Sequence, residues 1–148
     1  MSIEQPTSSE YLRKILLTPV YDVARVTPLE HMEKLSERIG CRVCLKREDL
    51  QPVHSFKLRG AYNKIAQLPA EAKERGVIAA SAGNHAQGCA LSGSRLGVKA
   101  TIVMPKTTPD IKVDAVRRFG GNVLLFGNSF DEAYAESQRL AREEGLTL

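Results

Sequence analysis

The chain has 148 residues, a length that fits one ordinary domain and can bury a core. Hydrophobic residues make up 43% and charged residues 26%, and the net charge of +4 is spread without a basic run, which argues for a soluble globular protein and against a nucleic-acid surface. No window holds the roughly 18 apolar residues of a membrane span, and the polar stretch from Met1 to Lys14 has no apolar signal region, so the cytoplasm is the default compartment.

Residues 1–10 read as a loose arm. From Tyr11 to Ala24 the apolar positions Tyr11, Ile15, Leu16 and Val20 follow a short helical pattern cut by Pro19. Thr27-Pro28-Leu29-Glu30 has the form of a helix start, with Thr27 as N-cap, and predicts a helix to about Ile39 that stops at Gly40. Arg42 to Lys46 is a short strand, and Arg47 to Pro52 is a polar loop closed by proline. Leu58 to Leu68 is a helix with Ala61, Ile65 and Leu68 on one face, and Glu71 to Arg75 is a short charged helix.

A regular alternation follows. Strands are predicted at Val77–Ala80, Ala100–Met104 and Asn122–Phe126, and helices at Asn84–Leu96, Asp110–Phe119 and Phe130–Glu144, most of them ended by glycine. The strands are continuous apolar runs, as expected of strands buried on both faces. The fold class is therefore α/β, an open parallel sheet flanked by helices. Leu146-Thr147-Leu148 resembles the opening of another strand, which predicts that the sequence is the N-terminal portion of something longer. Cys41 and Cys44 form a C-x-x-C, but no further ligands follow at zinc spacing and the pair falls on a strand, so packed, reduced thiols and no metal are expected.

Two stretches carry chemistry. Ser81-Ala82-Gly83-Asn84-His85 follows a buried parallel strand and opens a helix, the place where open α/β sheets bind ligands. The unpaired N–H groups of the helix start suit a carboxylate, Gly83 permits close approach, and Ser81, Asn84 and His85 add polar groups. The alternative is a polar turn with an asparagine cap. In Val53-His54-Ser55-Phe56-Lys57, the lysine follows a turn beside an aromatic residue. If Val53 and Phe56 desolvate its amine, Lys57 can be nucleophilic toward an aldehyde cofactor; otherwise it is a solvated surface charge.

Taken together, Lys46-Arg47-Glu48-Asp49, Ser55-Phe56-Lys57, Arg59-Gly60-Ala61 and Ser81 to Gly88 resemble the signature of the threonine and serine dehydratases, which are fold-type-II (tryptophan-synthase-β-like) pyridoxal phosphate enzymes. Glu48 to His54 is most similar to the biosynthetic branch of that family. The resemblance implies dehydration and deamination of L-threonine to 2-oxobutanoate and ammonia, the first step of isoleucine biosynthesis. Serine dehydration, a serine racemase-like activity and a non-catalytic fragment are the alternatives. It implies Lys57 as catalytic residue and covalent anchor of pyridoxal 5′-phosphate, Phe56 and Asn84 at the cofactor ring, and Ser81, Gly83, Asn84 and His85 around the substrate carboxylate. It also implies that residues 1–70 begin a large cofactor domain, that 71–148 form most of a small domain, and that the complete enzyme is a homo-oligomer, a tetramer. A glycine-rich phosphate loop would follow later in such an enzyme; Gly120-Gly121 lies in a helix-to-strand turn and does not open a helix.

Overall fold

The computed structural model describes residues 7–148. Its centre is a three-stranded parallel sheet of β3 (Val77–Ala80), β4 (Ala100–Met104) and β5 (Asn122–Leu125), in that spatial order. Thr147 makes a parallel bridge to Val77 on the outer side of β3, where a further strand was expected to open.

The period-2 geometry of β4 sorts its side chains to opposite faces. Ile102 and Met104 meet Ala61 of α3 (Lys57–Ala66), Ala86 and Ala90 of α5 (Asn84–Leu96), and Val113 and Val116 of α6 (Asp110–Arg118). On the other face Val103 joins Ile78 and Ala133 of α7 (Phe130–Glu144). Helices cover both faces, which is why the strands could dispense with polar alternation. Helices α2 (Glu33–Ile39), α5 and α7 end on left-handed glycines, Gly40, Gly97 and Gly145, as their sequence positions predicted.

The N-terminal third departs from expectation. Leu29–His31, read as the first turn of a helix, is strand β1, antiparallel to β2 (Cys44–Lys46), with Leu29 opposite Lys46 and His31 opposite Cys44. The helix α2 begins only at Glu33 and ends at Ile39. The Thr27 hydroxyl, expected to cap it, donates instead to Glu48 at 2.6 Å, and the Pro28 carbonyl accepts from Arg47 N–H at 3.0 Å. Long-range pairing overrode a locally convincing helix signal.

Residues 1–6 of the expected arm lie outside the described residues, but Thr7 to Glu10 are ordered by a capping box that starts α1 (Ser8–Leu16). The expectation that Cys41 and Cys44 are packed fails: both are free but exposed, because β1 and β2 are covered on neither face, whereas Cys89 of α5 is buried. Among the described residues there is no cluster of three or more metal-ligating side chains, and no helix is long and apolar enough to cross a membrane.

Candidate active site

The parallel strand β3 delivers Ser81 to its carboxyl end, where the Ser81 N–H still donates to Val103 O at 3.2 Å. The chain then turns through Gly83 into α5. Gly83, not Asn84, is the N-cap residue, with extended backbone and no side chain capping the helix. The alternative of an asparagine cap is therefore not realised, and the Asn84 side chain is exposed at the first helical position. A Cβ built on Gly83 would meet nothing within 4 Å, so its face of the turn is open to a ligand. The Gly83 N–H donates to Ser81 Oγ at 3.3 Å, which points that hydroxyl at the turn.

Lys57 opens α3, its N–H donating to Ser55 Oγ at 3.2 Å. Its amine stands 5.4 Å from the centre of the Phe56 ring, a cation–π distance. The expected desolvation is absent: Val53 is fully buried, while Phe56 is 59% exposed and Lys57 is exposed. What makes Lys57 distinctive is its neighbour. Helix α5 runs directly against the start of α3, and a Cβ on Gly88 would come within 3.3 Å of the Lys57 carbonyl carbon and oxygen. A side chain there would push the helices apart; glycine lets the start of α3 pack closely against α5, the helix that the Ser81–Asn84 turn opens.

His85 is affected by both. Burial of part of its ring, then the nearby charge of Lys57, lower its pKa below the usual histidine value, which favours the uncharged ring. Its Nε2 lies 3.5 Å from Cys89 Sγ, and burial pushes that thiol up to about 11. The His85 side chain thus lies along α5 toward Cys89, one turn on. Of the predicted site residues, Lys57 and His85 are the two whose charges are felt across the α3–α5 contact, while Ser81, Gly83 and Asn84 lie at the turn that opens α5.

Sequence reasoning missed the polar cluster behind Lys57. Arg59 grips Glu48 with two bonds, Nε to Oε2 at 2.8 Å and Nη2 to Oε1 at 3.0 Å. The same carboxylate accepts from Thr27 Oγ1 at 2.6 Å and from Gln51 Nε2 at 3.2 Å. Gln51, 1% exposed, also bonds both the N–H (2.9 Å) and the carbonyl (2.8 Å) of Arg25. The only advance signal was an acidic residue in the loop and an arginine just past the lysine, with nothing to pair them.

The Arg59 hydrogen bonds, helped by Thr27 and Gln51 and opposed by burial, bring the Glu48 pKa from 4.5 down to about 2. A carboxyl held low in the folded state adds stability above its unfolded pKa and loses it as pH falls toward the folded value. Stability is therefore expected to fall by about 2–3 kcal/mol between pH 5 and pH 2 on account of Glu48. Urea unfolding at stepped pH measures this, and Glu48→Gln should flatten that part of the curve.

A family model for pyridoxal-phosphate dependent enzymes matches residues 20–148. The biosynthetic L-threonine dehydratase of Pasteurella multocida is 65% identical over 97% of this chain and 28% of its own length. That of Escherichia coli is 62% identical over 96% of this chain and again 28% of its own. The chain thus spans little more than a quarter of the curated relatives it matches. Among solved structures, the processed threonine deaminase isoform 2 of Solanum lycopersicum superposes with a TM-score of 0.90 at 56% identity, covering 96% of this chain and 40% of that one. Maize serine racemase gives 0.85 at 30% identity, covering 94% and 42%.

Proposed function

The chain belongs to the pyridoxal-phosphate dependent enzymes, and on that premise we propose that it is the lysine-bearing portion of an enzyme converting L-threonine to 2-oxobutanoate and ammonia, in isoleucine biosynthesis. The observation that carries this reading is the close packing at Gly88 of the Lys57 turn against α5, the helix that the Ser81–Asn84 turn opens. The identity to threonine dehydratases along nearly the whole chain supports the substrate.

The residues present fit one end of the cofactor. An exposed amine, an aromatic ring beside it and an open turn at an uncapped helix start suit an aldehyde, a pyridine ring and a carboxylate. Among the described residues no glycine turn suits the phosphate: Gly121 is filled in by its surroundings, a Cβ there meeting Val116 at 2.6 Å and Ala90 at 2.8 Å. When bound, the cofactor supplies an electron sink for charge developing at the substrate Cα.

The rest is the work of this chain. Lys57 Nζ would hold the cofactor's aldehyde, and as a free amine it would accept the substrate Cα proton. The Asn84 amide would donate to the ring hydroxyl, and Phe56 would lie beside the ring. The Ser81 hydroxyl and the N–H groups of Gly83, Asn84 and His85 hold the substrate carboxylate at the positive end of α5. Loss of the β-hydroxyl as water and uptake of water on release of ammonia complete the balance.

Residues 1–70 are read as the start of the large cofactor domain and 71–148 as most of the small one, with the site on the α3–α5 seam between them. Leu12, Ile15 and Leu16 of α1, 57–74% exposed, support further contacts in a cytoplasmic homo-oligomer. The test is a chimera carrying residues 1–148 in place of the matching segment of the Pasteurella multocida enzyme. It is expected to form 2-oxobutanoate from L-threonine faster than pyruvate from L-serine, whereas the 148-residue chain alone is expected to show no measurable deamination. Preference for serine in the chimera would assign the chain to the other branch of the family.

A further inference from the structure

The polar cluster behind Lys57 joins three separate segments of the chain, and the joint lies under the turn that presents the amine. We infer that the Glu48–Arg59 pair is a positioning device for Lys57, acting through the backbone of α3 and touching neither cofactor nor substrate. The inference rests on the reading of Lys57 as cofactor anchor.

Arg59 sits two residues past Lys57, in the first turn of α3, so its side chain is a rigid lever on that turn. Glu48 lies at the other end of the loop that leads to the lysine. A two-pronged guanidinium–carboxylate contact fixes orientation as well as distance, which a single hydrogen bond does not. Thr27, Gln51 and the Arg25 carbonyl, which accepts from Arg59 Nη2 at 3.2 Å, lock the pair to the preceding segment. The Arg59 guanidinium also lies 5.5 Å from the centre of the Tyr21 ring, which covers its outer side.

Between the two ends the loop has little freedom. Val53 and Leu58 are fully buried on either side of the lysine turn. His54 adopts the left-handed region at φ 53°, where a non-glycine residue persists only if its surroundings hold it. Its Nδ1 lies 3.1 Å from the Asp49 carbonyl oxygen, and its N–H donates to Gln51 O at 2.8 Å. With both ends clamped, the direction in which α3 starts is set by the pair, and with it the place of the Lys57 amine beside the Phe56 ring.

The test uses the 148-residue chain, a large excess of pyridoxal 5′-phosphate, borohydride reduction and mass spectrometry of the peptides. In excess reagent every exposed lysine reacts to some extent, so the ratio of label at Lys57 to label at Lys64, exposed on the same helix, reads local placement and not tight binding. The ratio in the unaltered chain is expected to be well above one. Glu48→Ala and Arg59→Ala should each lower it about tenfold, the double substitution no further, while amide exchange protection of β3, β4 and β5 is unchanged. Glu48→Gln, with one acceptor oxygen and an NH2 facing the other guanidinium N–H, also loses the fork and should lower it as well. Arg59→Lys keeps the charge without the fork, and should still lower it if Glu48→Ala disturbs the sheet.

Ratios equal to the unaltered chain in Arg59→Lys and in both alanine variants would overturn the positioning role and leave Lys57 as anchor. A ratio near one in the unaltered chain would overturn the anchor itself, and the positioning role with it.

Discussion

Lys57→Ala, made in the chimera with the Pasteurella multocida enzyme, is expected to reduce 2-oxobutanoate formation from L-threonine by roughly 10³-fold or more. The substitution removes the amine that anchors the cofactor and the base that takes the Cα proton, two roles in one side chain. Lys57→Arg should fall nearly as far, because a guanidinium keeps the positive charge but is neither nucleophile nor base near neutral pH. That comparison separates chemistry from charge. Were Lys57 only the exposed cation that its accessibility suggests, sitting over Phe56 for the modest gain of a surface cation–π contact, arginine would serve as well and activity would change little. Steady-state turnover of the three proteins, with cofactor content measured in each, decides the matter.

Ile102→Ala is expected to cost about 2–4 kcal/mol of folding stability. Ile102 is fully buried in the middle strand, where it meets Ala61, Ala86, Ala90 and Val113 from three helices on one face of the sheet. The neighbours are mostly alanine and valine, too small to collapse into the space left by the missing atoms, so the cavity cost adds to the lost burial. Urea unfolding should show a lower midpoint at unchanged slope. Ile111→Ala, at a residue 75% exposed on α6, should stay within about 0.5 kcal/mol and serves as the control. The same cluster connects stability to the site, since Ala61 lies on the helix that begins with Lys57 and Ala86 on the one that begins with Asn84.

The half of the chain that alternates strand and helix was readable because each cue was local. Apolar runs of four or five residues, glycine stops after α5 and α7, and proline after β4 set the boundaries of residues 77–144 almost residue for residue. The first third resisted because its structure is decided at a distance. Thr27-Pro28-Leu29-Glu30 carries every local mark of a helix start, yet Leu29 pairs with Lys46, and Thr27 turns to Glu48. The capping box of Thr7 and Glu10 was present in the spacing and was passed over as an arm.

At the candidate site, the turn after β3 was legible because a buried parallel strand running into a glycine and a polar helix start has few other uses. The surroundings of Lys57 were not. Adjacency in sequence suggested that Val53 and Phe56 would bury the amine, but the reversal at His54 sends Val53 inward and leaves Phe56 outside. Gly88 and Arg59 look ordinary as letters. One allows two helices to touch, the other holds a loop through a residue eleven positions away, and both effects exist only once the chain is folded.

Borohydride reduction of the cofactor-loaded chimera, followed by trypsin digestion and peptide mass mapping, tests the central assignment most directly. Modification blocks cleavage at Lys57, so the expected result is a single reduced-cofactor adduct on the peptide Glu48–Arg59. An adduct on any other lysine of an active chimera would contradict the assignment of Lys57 as the anchor.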